Sequence, residues 1–195
     1  RIFHYGSLSM THDKNYEATQ YAIQVAKDNG CLISFDPNLR LSLWKTPEEA
    51  RRRILYGMKQ CDIMKISEEE VAFVSEQESL EKGVSFIRDN SDIKILFVTL
   101  GNKGSIAYYK DEKIYCGGIH QEHVVDTTGA GDTFCGAVLS RILELGTDAL
   151  TEKDIREMLL FANAAASIVV TRKGALCSMP EPEEIRAASR RVKFL

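Results

Sequence analysis

Residues 124–134 read Val-Val-Asp-Thr-Thr-Gly-Ala-Gly-Asp-Thr-Phe. A short apolar run leads into a turn of small residues. Beyond the turn, Phe134, Val138, Leu139, Ile142 and Leu143 recur at helical spacing with Ala137 among them. A chain with this pattern must carry an extended segment through a tight turn into a helix. The first turn of that helix leaves backbone N–H groups without internal partners, at its electropositive end. Gly129 and Gly131 keep side chains away, so an anion can approach the amides of Gly129, Ala130, Gly131 and Asp132. The carboxylate of Asp132, placed there, is a candidate general base. An anion cradle beside a base suits transfer of a phosphoryl group to a hydroxyl. Asp is also a common helix cap, and a glycine-rich turn before a helix is often purely architectural. The pattern is neither the Walker type nor the dinucleotide-binding GxGxxG type.

The rest of the chain alternates apolar runs with amphipathic stretches. Residues 2–6 and 31–35 read as strands. Between them a helix is expected over about 12–29, capped by Thr11, with Ala18, Tyr21, Ala22, Val25 and Ala26 inward. Thr46-Pro47-Glu48-Glu49 is a capping box with Pro at the first helical position, and it opens a helix to about Gln60. A strand over 61–66 follows, then a helix at Ser67, where Ser67 and Glu70 have capping-box spacing. Further elements are a helix over 79–90, a strand over 93–100, a glycine-bearing turn at 99–104, and antiparallel strands over 105–109 and 114–116. A helix capped by Thr151 or Thr147 buries Ile155, Leu159, Ala162 and Ala166, and Pro180 and Pro182 introduce a last helix. The alternation predicts an α/β fold: a doubly wound, mainly parallel sheet with helices on both faces.

At 195 residues the chain fits one domain with a sizeable core. A net charge of −3 gives no sign of a nucleic-acid partner, and no apolar run could span a bilayer. Cys31, Cys61, Cys116, Cys135 and Cys177 form no C-x-x-C pair and read as reduced thiols in or near the core of a cytoplasmic protein.

Asp-Thr-Thr-Gly-Ala-Gly-Asp at 126–132 resembles the signature of the ribokinase-like (pfkB) carbohydrate kinases, D-T-x-G-A-G-D, and the resemblance extends over nearly the whole chain. Asp36-Pro37-Asn38-Leu39-Arg40 is similar to the equivalent stretch of fructokinases and 2-keto-3-deoxysugar kinases. The resemblance implies ATP-dependent phosphorylation of a sugar's primary hydroxyl, with fructose the first candidate. It implies Asp132 as base and the amides of residues 129–132 as the anion hole, with Asn38 and Arg40 near the transferred phosphate. Thr99, Gly101, Gly104, Asn163, Ser67 and Lys65 are implied at the nucleotide, and Glu70 at Mg²⁺ through water. Ser67 stands where the family has Asn. A K⁺ ion is implied at Asp126, Thr128, Val169, Arg172, Gly174 and Ser178. Several of these residues have ordinary explanations as well: Asp-Pro-Asn is turn chemistry, Ser67 and Glu70 suffice as a cap, and Asn163 suits a small-residue helix.

The chain starts at Arg1 with a strand already under way at residues 2–6. The resemblance implies earlier strands, a small β lid and most sugar contacts outside this sequence. Residues 1–195 are therefore expected to be the C-terminal part of a single ribokinase-like domain. Kinases of the family acting on ribose, a nucleoside or 2-keto-3-deoxygluconate remain alternatives, as does a nucleotide-binding fragment without turnover. A homodimer of the full-length protein also stays open.

Overall fold

The computed structural model describes residues 1–190. Its strands form a mixed sheet of six with surrounding helices, and the chain divides into two compact units, Arg1–Val98 and Thr99–Leu195. No helix among the described residues is long and apolar enough to cross a membrane.

The first unit repeats strand and helix: β1 (Ile2–Gly6), α1 (Asp13–Asp28), β2 (Leu32–Asp36), α2 (Pro47–Gln60), β3 (Ile63–Ser67), α3 (Glu68–Ser75), α4 (Leu80–Asp89) and β4 (Ile95–Thr99). β1 to β4 follow one another in the sheet in chain order. β1 pairs parallel with β2, Tyr5 opposite Phe35, and β2 pairs parallel with β3, Phe35 opposite Met64. Their side chains fill the core, with Ile33, Phe35, Met64, Ile66 and Phe97 fully buried. The ring of Tyr5 stacks on that of Phe35 at 4.8 Å, and its hydroxyl donates to the Gly57 carbonyl at 2.8 Å. Gly57 has to be small. A Cβ there would lie 2.6 Å from the Phe35 ring, so α2 comes this close to β2 only through a glycine.

Local caps start the helices where the sequence places them. Thr46 accepts from the Glu49 amide with Pro47 opening α2, and Ser67 and Glu70 form a complete capping box on α3. α1 differs from expectation. Its N-cap is His12, without a side-chain cap bond, while the Thr11 hydroxyl turns back to the Leu8 carbonyl of the 3₁₀ turn Ser7–Met10. The buried face is Thr19, Ile23 and Ala26, whereas Tyr21 is 73% and Val25 41% exposed. Burial of Ile23 and Ala26 orients the helix this way. On the same helix the Arg53 guanidinium from α2 lies 3.6 Å from the centroid of the Tyr16 ring and bonds Asp13 at 2.7 Å.

The second unit holds the antiparallel hairpin β5 (Gly104–Tyr109) and β6 (Glu112–Gly117), then α5 (Ala130–Leu145), α6 (Glu152–Val169) and α7 (Pro182–Ser189). α6 starts on a Thr151–Asp154 capping box; Thr147 instead gives its carbonyl to the Tyr109 hydroxyl at 2.8 Å. Ile155, Leu159 and Ala162 are buried as expected, and Ala166 is half-buried. On α5, Phe134, Ala137, Val138 and Ile142 are buried but Leu143 is exposed. Val124 and Val125 form no strand and are also exposed; the Val125 and Asp126 amides donate to the Val170 carbonyl. All five cysteines are free, and Cys177 is exposed rather than near the core.

Candidate active site

In the first unit, the candidate residues gather at the C-terminal end of β2, where open α/β sheets place ligands. Asp36 ends the strand and is 3% exposed. Its carboxylate accepts from Lys65 Nζ at 3.0 and 3.3 Å, and from the Asn38 amide at 3.1 Å. Burial pushes its pKa up to about 6, partly offset by the Lys65 charge and reinforced by that of Glu70. Asn38 takes a left-handed backbone, φ 43°, which Asn tolerates better than most residues. Glu70, itself buried, accepts the Leu39 amide at 2.7 Å on one oxygen and the Ser67 amide at 2.9 Å on the other. Arg40 is exposed, its guanidinium touching the Leu39 carbonyl at 2.9 Å. Asn38, Arg40, Lys65, Ser67 and Glu70 are thus brought together.

Each Glu70 oxygen has one lone pair engaged by an amide and a second in reserve. That fits an outer-shell role toward Mg²⁺, a cation that retains several waters and leans on substrate phosphates. Among the described residues, no three His, Cys, Asp or Glu side chains cluster as a metal site.

In the second unit, the segment from Thr99 to β5 is a compact turn. The Leu100 amide donates to the Gly104 carbonyl at 2.8 Å, and Gly101–Lys103 is a 3₁₀ turn. Gly104 has φ 107°, and a Cβ there would stand 2.2 Å from the Cys116 carbonyl oxygen. Asn163 on α6 is a clamp for this hairpin. Its oxygen accepts from the Ser105 hydroxyl at 2.9 Å, and its NH₂ donates to the Cys116 and Gly117 carbonyls at 3.1 and 3.2 Å.

The turn at 126–132 feeds α5. Its N-cap is Gly129, φ 82°, which has no side chain to take the first-turn amides. In contrast, α2, α3, α4 and α6 are capped by their own Thr or Ser hydroxyls. The Thr133 amide bonds back to the Gly129 carbonyl at 2.8 Å, so the amides of residues 129–132 precede the helical ladder; that of Ala130 bonds the Thr127 carbonyl at 3.3 Å. Asp132 is exposed in this first turn. The Thr133 hydroxyl is buried with no protein partner among the described residues, a polar atom left beside the cradle.

Asp126 joins this turn to the loop after α6. One carboxylate oxygen accepts from the Thr128 amide at 2.9 Å, the other from the Gly174 amide at 3.2 Å. Hydrogen bonds from Thr128, then from Gly174, hold its pKa below the usual carboxylate range. Within the loop, Ser178 is buried and its hydroxyl donates to the Gly174 and Ala175 carbonyls at 2.6 Å. The Val169 carbonyl accepts the Arg172 amide at 3.0 Å. Arg172 touches the Ser178 carbonyl at 3.4 Å and pairs with Glu184. The available donors are oxygens, mostly carbonyls, with one carboxylate, a set that fits K⁺.

Asp36 and Ser7 escaped the sequence reading as site residues. The signal for Asp36 was a charge at the end of one buried-type strand and a lysine within the next, since two such charges require each other.

Parallel pairing of β1 to β3 and, in the second unit, a glycine-capped helix start are features that suit an α/β protein handling phosphate. Residues 1–182 match the pfkB family carbohydrate kinase model, and the chain belongs to that family. It is 41% identical over 186 residues to fructokinase-1 of Oryza sativa subsp. japonica, covering 94% of this chain and 57% of that enzyme. The fructokinase of Vibrio cholerae O395, solved with fructose, ADP and calcium, is 31% identical with a TM-score of 0.87, over 95% of this chain and 59% of that one. Xylella fastidiosa fructokinase, solved with ATP, gives 27% and 0.87, over 97% and 61%. The chain therefore spans little more than half the length of these relatives.

Proposed function

We propose that the protein is an ATP-dependent fructokinase that converts fructose to fructose 6-phosphate in the cytoplasm. The observation that carries this is the glycine-capped start of α5, with four amides free of any side-chain cap and Asp132 among them. Fructokinase relatives at about 40% identity favour fructose over other sugars of the class. The sugar hydroxyl oxygen attacks the γ-phosphorus while the bond to the β,γ-bridging oxygen breaks and ADP leaves. Asp132 takes the hydroxyl proton. The amides of residues 129–132 stabilise the negative charge on the equatorial oxygens. Asn38 and Arg40 contact the transferring phosphate, and Thr99, Gly101, Gly104, Ser67 and Asn163 border the nucleotide. Glu70 and the Asp126–Gly174 loop would hold Mg²⁺ through water and K⁺, respectively. The two ions supply positive charge that offsets the phosphates and shapes the anion hole.

The test is ADP release by the full-length protein with ATP against fructose, ribose, a nucleoside and 2-keto-3-deoxygluconate. Fructose is expected to give the highest kcat/KM. Preference for another acceptor would displace fructose, and no sugar-dependent ADP release would end the kinase reading.

A further inference from the structure

The end of β2 is held from three sides. The Ser7 amide donates to the Pro37 carbonyl at 3.2 Å, and the Ser7 hydroxyl donates to the same oxygen. Asp36 takes the Asn38 amide and Glu70 takes the Leu39 amide. Three successive residues thus have a backbone polar group fixed by a buried side chain or by Ser7, itself fully buried. Asp36 can serve in this way only while Lys65 compensates it. The two side chains are 5% and 9% exposed and 3.0 Å apart. An ion pair this deep gains little stability over a well-packed apolar pair, because both charges lose their water. An apolar pair, however, could not accept the Asn38 amide, and Asn38 sits in a left-handed conformation that needs support from outside the residue.

We propose that Asp36 and Lys65 are positioning residues for phosphoryl transfer, their buried pair fixing the turn from which the side chains of Asn38 and Arg40 project. This rests on the kinase reading above, in which Asn38 and Arg40 contact the phosphate. It also defines a role for Lys65. Its ammonium donates to both Asp36 carboxylate oxygens, which ties it to the turn.

The experiment uses the full-length protein with Asp36→Asn, Lys65→Met, Lys65→Arg, Arg40→Ala and the Asp36→Asn/Arg40→Ala double variant. Hydrogen exchange at the Asn38 and Leu39 amides reads the turn directly, with or without turnover. Asp36→Asn and Lys65→Met are each expected to speed that exchange about tenfold, the scale of one net hydrogen bond. Each should lower kcat/KM by up to about 10²-fold, as misplacement of a positioning group does, while Lys65→Arg, which keeps the charge, recovers most of both. In the Arg40→Ala background, Asp36→Asn should cost less than it does in the wild type, because part of its effect runs through Arg40 and the remainder through Asn38.

Unchanged exchange in natively folded Asp36→Asn and Lys65→Met would overturn the proposal. So would losses that multiply in the Arg40→Ala background, or a KM for ATP raised by Lys65→Met alone, which would make Lys65 a nucleotide ligand. If Asp36→Asn fails to fold, the Lys65→Met and Lys65→Arg pair makes the same comparison. Absence of ADP release from the wild type overturns the kinase reading, whereas the exchange result bears on the turn itself.

Discussion

The Gly174 amide donates to the Asp126 carboxylate at 3.2 Å, joining residues 48 positions apart and closing the turn before α5 onto the loop after α6. The same carboxylate holds the Thr128 amide. A cation bound among these oxygens would be felt at the start of α5 through two peptide groups. Activity of the full-length protein in potassium is therefore expected to exceed that in sodium at equal ionic strength, and Asp126→Ala should remove the difference. Equal rates in the two salts would rule out a working K⁺ site.

Asp132→Asn is expected to lower turnover by about 10²–10⁴-fold, the usual contribution of a general base. ATP binding, measured by calorimetry, should persist because the cradle amides are backbone groups. Wild-type turnover in this variant would remove Asp132 from the role of base.

Gly129→Ala should cost about 1–2 kcal/mol of stability, the penalty for a side chain at φ 82°. Contact is not the reason, since the new Cβ would sit 3.4 Å from the Ala175 Cα, an ordinary separation. Thermal unfolding reads the stability loss, and a matching drop in kcat would show that the cradle shifts with it.

Gly57→Ala sets two effects against each other. Removing a helix-interior glycine gains up to about 1 kcal/mol, but a Cβ 2.6 Å from the Phe35 ring forces overpacking that costs about 1–3 kcal/mol. Net destabilisation is expected in urea unfolding. A stabilised variant would mean that Phe35 moves freely, contrary to its complete burial between Tyr5 and α2.

Asp36 gives a pH dependence of defined sign. Its pKa rises from 3.8 unfolded to about 6 folded, so the folded protein binds the extra proton. The stability from this group is fully present below about pH 4 and is lost as pH rises through about 6, on the order of 3 kcal/mol. Asp36→Asn should flatten that part of the urea-midpoint profile. An unchanged slope between pH 4 and 6 would contradict the buried, partly compensated carboxylate.

Most helix starts, the turn into a helix at 126–134 and the family signature were legible in the sequence because each rests on chemistry within a few residues. Thr46 reaches Glu49, Ser67 reaches Glu70, and Thr151 reaches Asp154, all three positions apart. A hydroxyl and an amide so spaced meet whenever the helix forms, whatever packs around it. Gly129 was legible as a residue that keeps a side chain away from the amides, while its left-handed backbone, φ 82°, came from the structure.

Tertiary structure decided the rest. α1 turns Thr19, Ile23 and Ala26 inward and meets Arg53, 37 positions from Tyr16, so the apolar spacing of Ala18, Tyr21 and Val25 pointed to the wrong side. Nothing near Asn163 in the sequence announces its role as a clamp, since the hairpin brings Ser105 and the Cys116 and Gly117 carbonyls against it from afar. Lys65 meets Asp36, 29 positions away, only because β2 and β3 pair. In each case the deciding partner is distant in sequence. A charge or amide is satisfied by whichever group the fold brings within 3 Å, and no local periodicity records which group that will be.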